Sequence, residues 1–223
     1  MGGELVQYAG ALGVGNLEPG GISETTGTVL AVVQCATAGT PVTDGIIQGP
    51  GPTADLAYRM TFSQVSANWL DWQAARSQPP VTIPELVAAA EAIPAGANGL
   101  TFVPPEQADA PPRFDGQLPA DPARTAACET RAILERVAQE LQYLLRTLSP
   151  DTPRGPIRAA GGGARSDLLL RIKARTLGLP LMAMACPEPT SQGAALAAAV
   201  TLGWGTRREL AAAWIQPRAV FTP

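Results

Sequence analysis

The chain contains no histidine, and this absence excludes more chemistry than any other feature of its composition. Without an imidazole there can be no Ser-His-Asp or Cys-His nucleophile pair, no H-E-x-x-H metal site and no histidine general base. Catalysis by these 223 residues would therefore have to rest on carboxylates, backbone amides, arginine or a bound metal.

Cysteine and lysine are also scarce. Cys35, Cys128 and Cys186 are far apart and form no C-x-x-C pair, so we interpret them as small buried side chains in a reducing compartment. Lys173 is the single lysine beside fifteen arginines, which we attribute to coding bias in the source genome. The net charge of −3 and the scattered arginines predict no nucleic-acid partner.

Long apolar runs are missing as well. No segment reaches the roughly 20 apolar residues that a membrane-spanning helix requires. Residues Met1 to Tyr8 lack both the basic start and the apolar core of a secretion signal. We therefore expect a cytoplasmic protein with no membrane partner.

Strand and helix patterns alternate along the chain. Dense β-branched residues from Ile22 to Val33 predict two strands joined at Gly27. Further strands are predicted at 99–103, 156–160 and 181–185, and helices at 63–75, 85–93, 121–148, 168–177 and 191–202. Stretches near 41–53 and 104–119 are predicted to be irregular. The alternation predicts one α/β domain over residues 1–223.

Two glycine-containing turns could hold a ligand. Gly161, Gly162 and Gly163 follow a predicted strand and precede a helix, where bare backbone and free amides suit an anion or a nucleotide. Such a turn can equally serve only close packing of strand against helix. Thr25 to Thr28 could likewise cradle phosphate oxygens, although threonine is also common in strands. There is no Walker A sequence, and Glu18 occupies the last glycine position of an incomplete G-x-G-x-x-G pattern.

The order of these segments resembles the second domain of the FGGY carbohydrate kinases. The resemblance begins at residues 10–20 and 23–28 and continues through Gly99 to Pro104. It is closest in Ala160-Gly161-Gly162-Gly163-Ala164-Arg165-Ser166-Asp167-Leu168, and it extends to residues 193–198. Residues 45–94 and 105–119 match poorly.

The resemblance implies an actin-like ATPase, ribonuclease-H-like fold with a mixed sheet flanked by helices, and ATP, Mg²⁺ and a sugar or polyol as ligands. Gly27 and Thr28 would face the phosphates. Gly163 and Asp167 would lie beside the adenosine, with Gly161, Gly162 and Ala164 shaping that pocket. No set of metal-ligating side chains is predicted.

Two departures from the family predict that the chain alone does not transfer phosphate. The family's catalytic aspartate lies seven residues before the glycine that is here Gly13, which places Val6 at its position. A valine cannot accept a proton, and Glu4 replaces it only if the backbone slips by two residues. The family's sugar-binding first domain is also missing, and the loop at 105–118 lacks the charged stretch of relatives, so the sugar is not identified.

Three interpretations remain open at this point: half of a kinase that needs a complementing first domain, a pseudokinase that binds nucleotide for regulation, and a remnant that binds nothing. A face near residues 2–12 and 25–28 is expected to be partly apolar and exposed. A homodimer through that face is therefore possible.

Overall fold

The computed structural model describes residues 6–77, 79–105, 110–148 and 155–223. The strands within these ranges are β1 (Ile22–Thr26), β2 (Leu30–Thr37), β3 (Ile47–Pro50), β4 (Leu56–Ser63), β5 (Thr101–Val103), β6 (Arg113–Asp115), β7 (Ile157–Ala160), β8 (Leu181–Met184) and β9 (Pro217–Phe221). The helices are α1 (Val6–Gly13), α2 (Asn68–Arg76), α3 (Ile83–Glu91), α4 (Pro122–Leu148), α5 (Asp167–Leu177), α6 (Pro189–Thr201) and α7 (Arg207–Trp214).

Seven of the strands form one mixed sheet in the order β3-β4-β2-β1-β7-β8-β9, and β5 pairs with β6 separately. β7 runs parallel to both of its neighbours, β1 and β8, and the other pairs in the sheet are antiparallel. Thr25 of β1 lies opposite Ala160 of β7. Because the two strands are parallel and in this register, the turns that follow them emerge at the same edge of the sheet.

Helices cover both faces of the sheet. On one face α4 and α5 pack against side chains such as Ile22, Val32 and Ile157, which belong to the largest apolar core. On the other face α1 lies against β1 and β2 and packs closely on α6. The sheet is therefore buried on both sides, as the alternation of strand and helix patterns predicts.

The crossing of α1 and α6 depends on glycine. A Cβ at Gly193 would overlap the carbonyl oxygen of Ala9, and one at Gly13 would overlap that of Pro189. The two helix backbones can approach so closely only because both positions lack a side chain. Close packing of α1 on α6 therefore accounts for both glycines.

Most predicted elements are present with shifted ends. The helix expected from residue 63 begins at Asn68, and β4 occupies the chain before it. Both stretches predicted to be irregular contain a short strand, β3 in the first and β6 in the second, because each pairs with a neighbour elsewhere in the chain. α7 and β9 were not predicted.

The cysteines behave as small apolar side chains. Cys35 and Cys128 are buried, Cys186 is half-buried, and all three are free thiols. Burial is the main cause that raises the pKa of Cys35 to about 12, so this thiol stays protonated at neutral pH. In the described part of the chain, none of the helices combines the length and apolar character needed to cross a bilayer.

Candidate functional site

Two turns meet at the edge of the sheet where β1 and β7 end. The first is the three-residue hairpin turn 27–29, closed by the pairing of Thr26 with Leu30. The second, which we call the glycine turn, is Gly161 followed by a 3₁₀ segment, Gly162–Arg165, that leads into α5. In open α/β sheets, ligands bind in crevices beyond the carboxyl ends of neighbouring strands.

Both turns offer unpaired backbone amides. The first hydrogen bond of the glycine turn runs from the Ala164 amide to the Gly161 carbonyl oxygen at 3.2 Å, which leaves the amides of Gly162 and Gly163 ahead of it. Within the described residues, the amide of Thr28 also has no hydrogen-bond partner. An anion lying between the turns could accept from all three amides.

A cavity of about 330 Å³ lies between these turns and the helices α2 and α3. It is lined by Gly27, Thr28, Ala67, Asn68, Leu70, Asp71, Ile83, Val87, Gly162, Gly163, Ser166 and Leu169. Four of the residues predicted to contact nucleotide are in this set: Gly27, Thr28, Gly162 and Gly163. The structure therefore brings two segments that are distant in sequence to one cavity, which is lined both by the backbone of the two turns and by apolar side chains.

The other residues predicted to contact nucleotide lie beside the cavity without lining it. Gly161 has φ +77°, a conformation that favours glycine. Ala164 is buried and its carbonyl oxygen accepts from Arg218 at 3.0 Å. The Asp167 carboxylate forms an ion pair with the same guanidinium at 2.9 Å.

Of the two positions considered for a catalytic base, one lies outside the described residues and the other is not among the residues that line this cavity. Glu4 lies outside the described residues. Val6 is the first residue of α1, it is 62% exposed, and its carbonyl oxygen accepts from the Thr190 hydroxyl at 3.3 Å. A hydrocarbon side chain at this position offers no acceptor for a proton.

Asn68 is a site residue that sequence analysis missed. It is the first residue of α2 and lines the cavity, and its Oδ1 atom is buried without a partner in the described part of the chain. A buried amide oxygen without a donor is costly, so a ligand that donates a hydrogen bond here would satisfy it. Nothing in the sequence distinguishes this asparagine from any other at a helix start.

A buried polar triad lies directly behind the two turns. The Lys173 ammonium on α5 donates to Glu24 Oε1 at 2.8 Å and to the Thr26 hydroxyl at 2.6 Å. The Thr26 hydroxyl in turn donates to Glu24 Oε2 at 2.7 Å. Burial lowers the pKa of Lys173, and the charge of Glu24 opposes that shift. The chain's one lysine, attributed above to coding bias, thus lies in the core beside the candidate site.

A second, larger groove of about 900 Å³ lies between α2, α3 and the start of α4. Its charged groups already have partners. Glu129 pairs with Arg76 and accepts from the Gln73 amide at 2.8 Å. In the described residues there is also no cluster of three histidine, cysteine or acidic side chains that could hold a metal. The smaller cavity is therefore the better candidate site, because its polar groups remain available.

Solved structures similar to this chain define its class. A xylulose kinase from Rhodospirillum rubrum superimposes with a TM-score of 0.80 and 23% identity, over 97% of this chain and 45% of that one. A glycerol kinase from Plasmodium falciparum with ADP gives a TM-score of 0.79 and 17% identity, over 97% and 45%. The chain thus has the fold of a sugar-kinase domain of the actin-like ATPase type.

Sequence comparison identifies the family. The model of the C-terminal domain of the FGGY family of carbohydrate kinases matches residues 53–202, and the chain belongs to this family. It is 37% identical to a glycerol kinase of Bordetella parapertussis over 102 residues, which is 44% of this chain and 20% of that protein. It is 27% identical to a xylulose kinase of Bacillus subtilis over 176 residues, 76% of this chain and 35% of that one. The chain spans less than half the length of these relatives.

Proposed function

We propose that this chain is the ATP-binding half of a carbohydrate kinase, and that ATP binds in the cavity between the hairpin turn and the glycine turn. The observation that carries the proposal is the meeting of two amide-bearing turns at the parallel pair β1 and β7. The ligand that this arrangement suits has a polyanionic end and a flat apolar end.

The two kinds of lining, amide-bearing backbone and apolar side chains, match the two parts of a nucleotide. Phosphate oxygens suit the amides of Thr28, Gly162 and Gly163, as at other backbone-lined anion sites. A purine suits the apolar walls formed by Leu70, Ile83, Val87 and Leu169. The unpartnered Oδ1 of Asn68 requires a donor, which the exocyclic amine of adenine provides.

Magnesium would be bound mainly through the nucleotide. Asp71 is the one carboxylate among the described residues that line the cavity. Mg²⁺ usually keeps several waters and takes one or two carboxylates together with substrate phosphates. The residues present therefore fit MgATP better than a metal site formed by protein side chains alone.

Phosphoryl transfer depends mainly on positioning the groups and on neutralising charge. The two turns of this chain supply amides for the phosphates, but Val6 offers no base for a sugar hydroxyl. A sugar or polyol would bind only together with a complementing N-terminal domain. We propose that the chain alone does not transfer phosphate, and that it functions in the cytoplasm.

The face that a complementing domain would cover also bears on self-association. Val6 on α1 and Thr28 on the hairpin turn are exposed, whereas Tyr8 to Leu12, which were expected to be part of an exposed face, are buried. Without a complementing domain, this face could pair with a second copy of the chain, so a homodimer is part of the proposal.

Val6 favours a second candidate, a pseudokinase that binds ATP for regulation. The two candidates differ in one observable, which is phosphorylation of a sugar when a separately produced first domain is added. Transfer in the mixture would support the kinase half, and binding without transfer would support the regulatory module.

Calorimetric titration of the chain with MgATP tests the site, with Gly162→Val as the disrupting variant. A Cβ at Gly162 comes no nearer than 3.9 Å to another residue, so the valine should occupy the cavity edge without disturbing the fold. Ala212→Val on the exposed side of α7 is the matched control. We expect one binding site per chain. The Kd for MgATP should weaken at least tenfold in Gly162→Val and stay unchanged in Ala212→Val, while the thermal midpoint of unfolding does not change. No binding to the unaltered chain, or equal binding to both variants, contradicts the proposal.

A further inference from the structure

Packing of the core does not by itself require a buried polar triad where Lys173, Glu24 and Thr26 lie. Glu24 and Thr26 alternate with Ser23 and Thr25 along β1, so both point toward the face covered by α5. Lys173 lies one helical turn after Leu169, which lines the cavity. The triad therefore forms a layer directly behind the candidate nucleotide site.

Its charges are fully removed from water. The side chains of Lys173 and Glu24 are both 0% exposed. A buried ion pair costs so much desolvation that apolar side chains of similar volume are often as stabilising or more so. What such a pair can supply is a defined geometry, because each hydrogen bond fixes the partner at one distance and direction.

Both members of the ion pair form a hydrogen bond with Thr26. Its hydroxyl accepts from Lys173 and donates to Glu24, which fixes the rotation of the side chain. In that rotation its apolar atoms pack on the glycine turn: a Cβ at Gly163 would lie 2.6 Å from Thr26 Cβ and 2.8 Å from its Cγ2.

Thr26 is also the last residue before the hairpin turn. The next residue, Gly27, is held from the other side, where its carbonyl oxygen accepts from the Ser66 hydroxyl at 2.8 Å. One side chain thus contacts the glycine turn while its backbone leads into the hairpin turn. Any rotation of Thr26 would change the separation of the two turns.

We infer that Lys173, Glu24 and Thr26 are positioning residues that hold the hairpin turn and the glycine turn at the separation at which one phosphate-bearing ligand contacts both. This role rests on the proposed nucleotide site for its ligand. It does not require the triad to contact that ligand, since all three side chains lie behind the turns.

Two variants remove the positioning without leaving a buried charge unpaired. Thr26→Val keeps the atoms that pack on Gly163 and deletes the hydroxyl. Lys173→Met combined with Glu24→Gln neutralises both charges at nearly constant volume. The matched control is Arg131→Met, which breaks the largely buried Arg131–Glu135 ion pair at 2.7 Å on α4, outside the cavity lining.

The first measurement is amide hydrogen exchange of the ligand-free chain by NMR. The reporters are the hydrogen-bonded amides of Gly27, Ala164 and Ser166, each compared with Val32 in the sheet to correct for global unfolding. We expect exchange at these reporters to rise at least tenfold relative to Val32 in both triad variants and to stay unchanged in Arg131→Met. The second measurement is MgATP titration, in which we expect the Kd to weaken about tenfold in the triad variants only.

The two measurements separate this inference from the proposed function. If the amides of Gly27, Ala164 and Ser166 exchange no faster relative to Val32 in the triad variants than in the unaltered chain, the positioning role is overturned, whether or not ATP binds. Selective exchange in a chain that binds no MgATP supports the positioning of the turns and contradicts the nucleotide site. A Kd weakened equally by Arg131→Met also overturns the inference, because it would show an effect of stability alone.

Discussion

At the scale of residues, the three glycines of the glycine turn have different reasons to be glycine. Gly161 has φ +77°, which side-chain-bearing residues rarely adopt. Gly163 has an ordinary backbone, but a Cβ there would meet Thr26 at 2.6 Å. A Cβ at Gly162 would meet one atom within 4 Å outside its chain neighbours, the Thr26 carbonyl oxygen, at an ordinary van der Waals distance of 3.9 Å. Packing does not explain Gly162, whereas the proposed contact of a ligand with its backbone would.

This difference predicts unequal alanine variants. We expect Gly163→Ala to lower the free energy of unfolding by about 1–3 kcal/mol, the usual cost of forcing an extra carbon into a packed site. Gly162→Ala should leave that free energy unchanged or raise it by about 0.4–1 kcal/mol, since it restricts the unfolded chain. Urea denaturation of the two variants beside the unaltered chain measures both. Equal losses of stability would contradict this assignment of roles.

Single residues could be predicted where their partners are local. Ser166, immediately before α5, is a residue type typical of helix caps, and its hydroxyl accepts from the Leu169 amide at 3.2 Å. Gly178 ends that helix in the left-handed conformation, which is typical of glycine at a helix C-terminus. The role of Lys173 could not be predicted, because its partners are in the first strand. Asp167 remains a predicted nucleotide contact, although Arg218 now competes for its carboxylate.

At the scale of elements, α3 and α7 begin in the same way. In α3 the Glu85 carboxylate accepts from the Thr82 backbone amide at 2.7 Å, and Thr82 caps the helix in return. In α7 Glu209 and Thr206 make the same reciprocal pair, with the amide at 2.8 Å. Hydrogen bonds from these backbone amides are the main cause that lowers the pKa of Glu85 and of Glu209.

A lowered carboxyl pKa gives a defined pH dependence. Each glutamate binds protons more weakly in the folded chain than in the unfolded chain. Its contribution to stability is therefore fully present above the unfolded value near 4.5 and is lost as the pH falls through the folded pKa. We expect Glu85→Gln and Glu209→Gln to be less stable than the unaltered chain at pH 7. This difference in stability should vanish once the pH falls below the folded pKa of the glutamate.

Urea denaturation between neutral and acidic pH measures this dependence. Glu188→Gln is the matched control, because Glu188 precedes α6 without a capping hydrogen bond from its side chain. A difference between the unaltered chain and Glu85→Gln that stays constant with pH would contradict the account.

Elements with strong local patterns were predicted best. α4 was expected at residues 121–148 and is found at Pro122–Leu148, because its apolar side chains repeat along one face. β4 was missed because its burial comes from pairing with β2, a long-range contact, and it contains Arg59. β6 was missed for the same reason, since it exists only through β5 and lies in a proline-rich segment. Phe114 of β6 then packs against Trp72 and Phe102, which no local pattern shows.

At the scale of the whole molecule, the resemblance to a kinase domain predicted more than the local patterns did. It implied that the hairpin turn and the glycine turn share one site, and the parallel pairing of β1 with β7 brings them to one cavity. The local patterns alone left each turn as a possible packing feature. What neither could supply is the sugar, because the chain spans less than half of the kinases that it resembles.

We propose above all that MgATP binds between these two turns. The most direct test is NMR mapping of the labelled chain with a non-hydrolysable MgATP analogue. We predict that the largest shifts fall on the amides of Gly27, Thr28, Gly162 and Gly163 and on the Asn68 side chain. Shifts confined to the larger groove beside Arg76 and Glu129, or no shifts at millimolar ligand, would contradict the claim.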